Sequence, residues 1–197
     1  PISIGRFAPT LATHRSISDC LVMTEIPTTP DDKKLMEKTW SEEFDVLLTL
    51  GSDIYVYIFS QMPICKRLFP WVIKYEDEGV DWKKTQEFKD QALRFVQVID
   101  TVVWGILDGD KSGQYLYEVG QRHVQYASRG FKPSFWDVFL DAMHHAQDQR
   151  IPKMTTLSQQ EKTKAKQIWH DVAAYIIKHM KMGFFDGVKG TDKYAEK

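Results

Sequence analysis

The chain has 197 residues, 26 of them basic and 27 acidic, for a formal net charge of -1. That length suits one domain, or one domain with an appended arm. A hydrophobic fraction of 43% with 27% charged residues excludes general disorder, and the near-zero charge excludes the basic footprint of a general nucleic-acid binder. Two cysteines, Cys20 and Cys65, lack metal-ligand spacing, so neither a disulfide framework nor a zinc cluster is expected and a reducing, cytoplasmic setting is. No apolar run reaches the ~18 residues of a membrane-spanning helix. The expectation is a soluble chain without a membrane partner.

Residues 1–30 mix Thr, Ser and Pro with scattered aliphatics and show no sustained period. They read as an N-terminal arm, either a disordered terminus or a segment draped over the domain. Thr29-Pro30-Asp31-Asp32 then reads as a helix start, with a capping hydroxyl, proline in the first turn and acids near the positive end of the helix dipole. Met36, Trp40, Phe44 and Leu47 follow at helical spacing, and Gly51-Ser52 is expected to break that helix. A second helix carries Ile54, Tyr55, Ile58, Phe59 and Met62 and stops before Pro63. A short piece reaches Phe69, and an acidic loop is expected over residues 75–81.

The longest helical pattern runs from about Trp82 to Leu107, with Phe88, Ala92, Phe95, Ile99, Val102, Val103 and Ile106 on its buried stripe. Asp108-Gly109-Asp110 ends it. A helix from about Gln114 to Ser128 precedes Gly130, and another spans about Pro133 to Gln149, with Phe135, Val138, Phe139, Ala142 and Met143 inward. The last opens on a capping box, Ser158 to Glu161, and continues through Ala165, Ile168, Trp169, Val172, Ile176 and Met180 to an expected stop at Gly183. No stretch reads as a strand. The fold class is all-α, with six to eight helices of uneven length.

Catalytic signatures are missing: no phosphate-cradling glycine loop, no nucleophile elbow, no paired-histidine zinc motif. Six histidines occur, at 14, 123, 144, 145, 170 and 179, and no two share helical spacing of three or four. His123 stands out because Val119 and Ala127 lie four residues to either side. An imidazole presented from a small, apolar face is one way haem iron is held.

The run from Gly51 to Phe59, followed by Pro63 to Phe69, resembles the B helix, C helix and CD corner of a globin, and of nematode globins in particular. On that resemblance Tyr55 faces the iron from the B helix, Pro63 opens the C helix and Phe69 stacks on the haem at the corner. Phe88 to Gln91 begins an E helix whose distal position falls on Gln91, and Val98-Ile99-Asp100 is similar to neuroglobin-type E helices. The proximal histidine falls on His123. Pro133, Phe135, Trp136 and Phe139 look like a G helix, and Thr155 to Leu157 with Trp169-His170 resembles a nematode-type H helix. The resemblance covers residues 31–183, leaving an arm at 1–30 and a C-terminal tail at 184–197. Three features depart from the family pattern. The arm is long, the segment from His123 to Pro133 is longer than in myoglobin, and Phe95 replaces a small aliphatic residue over the haem.

The resemblance implies haem b (iron protoporphyrin IX) as cofactor and a diatomic gas, oxygen or else nitric oxide or carbon monoxide, as ligand. His123 would bond the iron through its outer nitrogen, with the other nitrogen held by a backbone carbonyl near Val119. Tyr55 and Gln91 either donate to bound gas or satisfy each other. Phe69 stacks on the macrocycle or is an ordinary core aromatic, and Arg94 reaches a propionate or lies solvated on its helix. Reversible oxygen binding at a pentacoordinate ferrous haem is the leading expectation. A gas or redox sensor with six-coordinate haem, or a haem enzyme such as a nitric-oxide dioxygenase, is the alternative. A homodimer, a reductase or a signalling partner would accompany these roles.

Overall fold

In a computed structural model, the structure describes Ile26, residues 29–109 and residues 112–195. The expected arm, with Cys20 and His14, lies outside the described residues but for Ile26 and the cap at Thr29. Seven α-helices are described: α1 (Pro30–Thr39), α2 (Phe44–Gln61), α3 (Pro70–Asp77), α4 (Gln86–Leu107), α5 (Gly113–Arg122), α6 (Phe135–Arg150) and α7 (Gln159–Ala195). Tight 3-10 turns at Pro63–Leu68, Trp82–Lys84, His123–Arg129 and Ile151–Lys153 link them. Among the described residues there is no strand, and no helix is long and apolar enough to cross a membrane.

The helix starts follow from local chemistry. Thr29 Oγ1 accepts the Asp32 N–H at 3.1 Å with Pro30 in the first turn of α1. Ser158 N–H donates to Glu161 at 2.7 Å while Ser158 Oγ accepts the Glu161 N–H at 3.2 Å, a complete capping box before α7. Gly130 closes the turn after α5 with φ of 87°, the left-handed conformation that glycine adopts without penalty.

Two expected helix ends are corrected. The first break falls at Trp40–Glu43, and Gly51 sits inside α2. A Cβ there would lie 2.6 Å from the Ala92 carbonyl oxygen, so Gly51 is the point where α2 crosses α4 backbone to backbone. Because α2 restarts at Phe44, that side chain leaves the buried face and is exposed. Gly183 likewise lies within α7, the longest helix at 37 residues. Its missing side chain faces the Tyr117 carbonyl of α5, and Gly120 of α5 faces the Met180 backbone of α7 in the same way. Phe184, the first residue of the expected tail, is buried against Phe131 and Trp136. Residues 75–77 of the acidic loop expected over 75–81 belong instead to α3, whose first turn Pro70 pre-sets.

One continuous core joins α1, α2, α4, α5, α6 and α7, and a second cluster gathers Tyr55, Phe59, Cys65, Val72 and Phe88 under the 63–68 turn. Thr39 pins three elements at a fully buried point. Its hydroxyl donates to Leu35 O and accepts from Trp169 Nε1 at 3.0 Å, and Arg150 donates to its carbonyl. Trp40 packs on Trp169 with centroids 5.3 Å apart and donates to Asp100 at 2.8 Å, tying α1 to α7 and α4.

Candidate functional site

His123 caps α5, where the α-helix tightens into the 3-10 turn of residues 123–129. Its Nδ1 lies 2.8 Å from the Val119 carbonyl oxygen. A carbonyl can only accept, so Nδ1 carries the proton and a neutral ring keeps its lone pair on Nε2. Burial lowers the His123 pKa, as does Arg122, against the opposing Val119 hydrogen bond. The neutral, ligating form is therefore the one present near neutral pH.

Around this imidazole stand Tyr126, Phe131 and Trp136, with ring centroids 5.6, 5.6 and 5.3 Å away. Sequence reasoning did not assign Tyr126 or Phe131 to the site. The signal available was the aromatic density around Phe131, Phe135 and Trp136, which has no period of its own. Ala127 is corrected: it is exposed rather than on the face of His123. Three residues per turn in a 3-10 segment carry a residue four positions on away from that face. Val119 is buried and supplies its carbonyl as expected.

Tyr55, Phe69 and Phe95 form a second aromatic group. Tyr55 meets Phe69 and Phe95 edge-on at 5.7 and 5.4 Å. Phe95 is half-buried and also meets Phe139 at 5.4 Å. Phe135 packs against both core clusters and touches Phe131, so aromatic rings run from Tyr55 and Phe95 toward the surroundings of His123. Between the rings one polar link is made. Gln91 Nε2 donates to the Tyr55 hydroxyl at 2.7 Å, and Arg94 donates to Gln91 Oε1 at 3.3 Å. Both contacts fix the same orientation of the Gln91 amide. Arg94 is exposed and thus reaches Gln91, and no acidic side chain pairs with it among the described residues. Burial pushes the Tyr55 pKa up to about 12, with the Gln91 bond opposing. Tyr55 therefore keeps its proton, and because its oxygen accepts from Gln91 that proton is left to be donated.

The donor set and its surroundings fit a haem: one neutral imidazole oriented by a backbone carbonyl, aromatic rings, and a polar pair on α2 and α4. No group of three or more His, Cys, Asp or Glu side chains suited to a bare metal ion occurs among the described residues.

The globin family model matches residues 52–180, and the chain belongs to the globin family, the class of haem proteins that take diatomic gases as ligands. Over 154 residues it is 25% identical to globin-related protein glb-13 of Caenorhabditis elegans, covering 78% of this chain and 51% of that protein. It is 22% identical to cytoglobin-2 of Oryzias latipes over 152 residues, 76% of this chain and 83% of the other. The chain thus spans about half the length of the nematode relative it matches. Among solved structures, a hexacoordinated heme protein from an anhydrobiotic tardigrade superposes with a TM-score of 0.61 at 22% identity, covering 81% of this chain and 97% of that one. That likeness bears on the fold, which is the globin fold.

Proposed function

We propose that the chain holds haem b through His123 Nε2 and binds oxygen reversibly at a pentacoordinate ferrous iron. The haem supplies the iron centre at which a diatomic gas binds. The Gln91–Tyr55 hydrogen bond is the observation that carries the reading: the two side chains, from different helices, meet each other, the amide donating to the phenol oxygen and leaving the phenol proton for a ligand. A buried hydroxyl with its proton uncommitted favours a ligand that accepts hydrogen bonds, and oxygen does so better than carbon monoxide. Val119 orients the His123 ring, Phe69 and Phe95 supply apolar walls, and Arg94 steadies Gln91 from the solvent side.

A six-coordinate sensor is the second reading, and the tardigrade protein's description is its support. Against it, α4 contains no histidine, so the helix that carries Gln91 offers no imidazole to the far side of the iron. The optical spectrum of the reduced protein, with and without oxygen, tests the proposal. A five-coordinate ferrous spectrum converting to a stable oxy form is expected. A low-spin six-coordinate spectrum before any gas is added would favour the sensor.

A further inference from the structure

A groove of about 510 Å³ runs between α2 and the end of α6 and is bounded by Lys153 and Met154 of the following turn. None of its lining residues belongs to the Tyr55 or His123 groups described above. Its walls are mostly apolar: Val46 and Leu50 stand one turn apart on α2, with Ala146 and Met154 across from them. Arg150 lines the same groove, half-buried, one turn after Ala146. Its guanidinium makes one hydrogen bond, from Nη2 to the Thr39 carbonyl. Nε and Nη1 have no partner among the described residues, and they are not sealed from solvent as the unpartnered amide atoms of Gln147 are. Free donors therefore face an open, apolar groove.

The acids nearby leave this guanidinium uncompensated. Burial raises the Asp53 pKa, and it is His145 and Lys153 that oppose the rise, so the Asp53 carboxylate answers to those two cations. Asp45 is exposed in the first turn of α2, and Glu42 and Glu43 are exposed on the link before it. Neither these nor any other described carboxylate forms an ion pair with Arg150. Burial lowers the Arg150 pKa with no acid opposing it. A half-buried cation without a counter-ion is costly, and a carboxylate answers a guanidinium with two parallel hydrogen bonds.

We propose that this groove binds an amphiphilic carboxylate, its head in the guanidinium fork of Arg150 and its apolar body laid over Val46, Leu50, Ala146 and Met154. A small anion would leave the apolar walls wet, and an uncharged amphiphile would leave Arg150 without a counter-ion. The ligand class follows from needing both parts. The site requires no haem, so it stands or falls separately from gas binding.

Calorimetric titration of the full chain with octanoate, acetate, 1-octanol and octylammonium tests the assignment, while the Met154 and Ala146 methyl signals and the His123 ring signals are followed by NMR. Saturable octanoate binding that moves both methyl signals and leaves the His123 ring unmoved is expected. Acetate, for want of the apolar body, and octanol, for want of the charge, should each bind roughly tenfold or more weakly. Val46→Glu places a like charge in the groove without touching the Arg150–Thr39 bond and should weaken octanoate roughly tenfold. Arg150→Lys keeps the charge but loses the fork and should weaken it roughly fivefold. Because Arg150 also serves Thr39, unfolding temperatures are measured alongside, and Val46→Glu decides if Arg150→Lys does not fold. A response linear in octanoate, one that moves the His123 ring instead of the methyl groups, or equal octanoate binding by Val46→Glu would overturn the site. Octanol binding as tightly as octanoate would overturn the role of Arg150, and tighter binding of octylammonium would assign the groove to Asp45 and Asp53 instead.

Discussion

At the residue scale, the hydrogen bond from His123 Nδ1 to the Val119 carbonyl decides which nitrogen can ligate. It is a local, four-residue contact, which is why it is legible in the sequence once His123 is singled out. The Tyr55–Gln91 pair spans 36 residues and was readable only through the family pattern, because each residue alone is an ordinary polar interruption of an apolar stripe. Tyr126 and Phe131 were not legible, since their approach to His123 depends on the 3-10 turn that follows it. Replacing His123 by Ala removes the nitrogen proposed to bond the iron but none of the aromatic walls. The expected outcome is loss of stoichiometric haem and a lower unfolding temperature, because burial of the cofactor is coupled to folding by mass action. Haem content and thermal unfolding, measured on the same preparation, check this. Full haem with an unchanged spectrum would remove His123 as the axial ligand.

At the element scale, the starts of α1 and α7 and the ends of α2 and α4 were legible, while the starts of α2 and α3 and the continuation of α7 past Gly183 were not. Capping hydroxyls, prolines and first-turn acids act within three residues of the backbone groups they serve. Glycine carries two opposite meanings. Gly130 ends a turn through its positive φ, whereas Gly51, Gly120 and Gly183 continue helices at points where another backbone comes too close for a Cβ. Nothing local separates these cases; only the partner helix does. The Gly120–Gly183 crossing seats α5 on α7 and so fixes the helix that ends in His123. Gly120→Ala forces a methyl group against the Met180 backbone and should destabilise the fold by about 1–3 kcal/mol and speed haem loss. Gly190→Ala, with open space around its Cβ position, should leave stability unchanged or raise it by up to about 1 kcal/mol. The capping box gives a pH signature. Hydrogen bonds from the Ser158 backbone and side chain, with Lys38, lower the Glu161 pKa from its ordinary 4.5 to about 2. Its contribution is therefore whole above pH 4.5 and is lost as pH falls toward 2. The unfolding-temperature gap between the native chain and Glu161→Gln should close over that window; a constant gap would mean the charge contributes nothing.

At the scale of the molecule, the all-α class and the order of helices were legible because each helix carries its own apolar stripe. How they meet was not, and Thr39 shows why. Its buried hydroxyl serves Leu35 four residues back and Trp169 on α7, while its carbonyl serves Arg150 at the end of α6. Thr39→Val keeps the shape and strands the Trp169 indole N–H. A cost of about 1–3 kcal/mol corresponds to roughly 3–10 °C in unfolding temperature for a chain of this size, readable by calorimetry. In the proposed function, this assembly presents a protonated Tyr55 to a hydrogen-bond-accepting gas beside a haem held by His123. Tyr55→Phe tests it most directly, since it deletes one hydroxyl and keeps the ring. Oxygen dissociation from the ferrous protein should become roughly 5- to 15-fold faster, with carbon monoxide dissociation nearly unchanged. Equal acceleration for both gases would point to a steric gate at Phe95, and no change for either would contradict the claim.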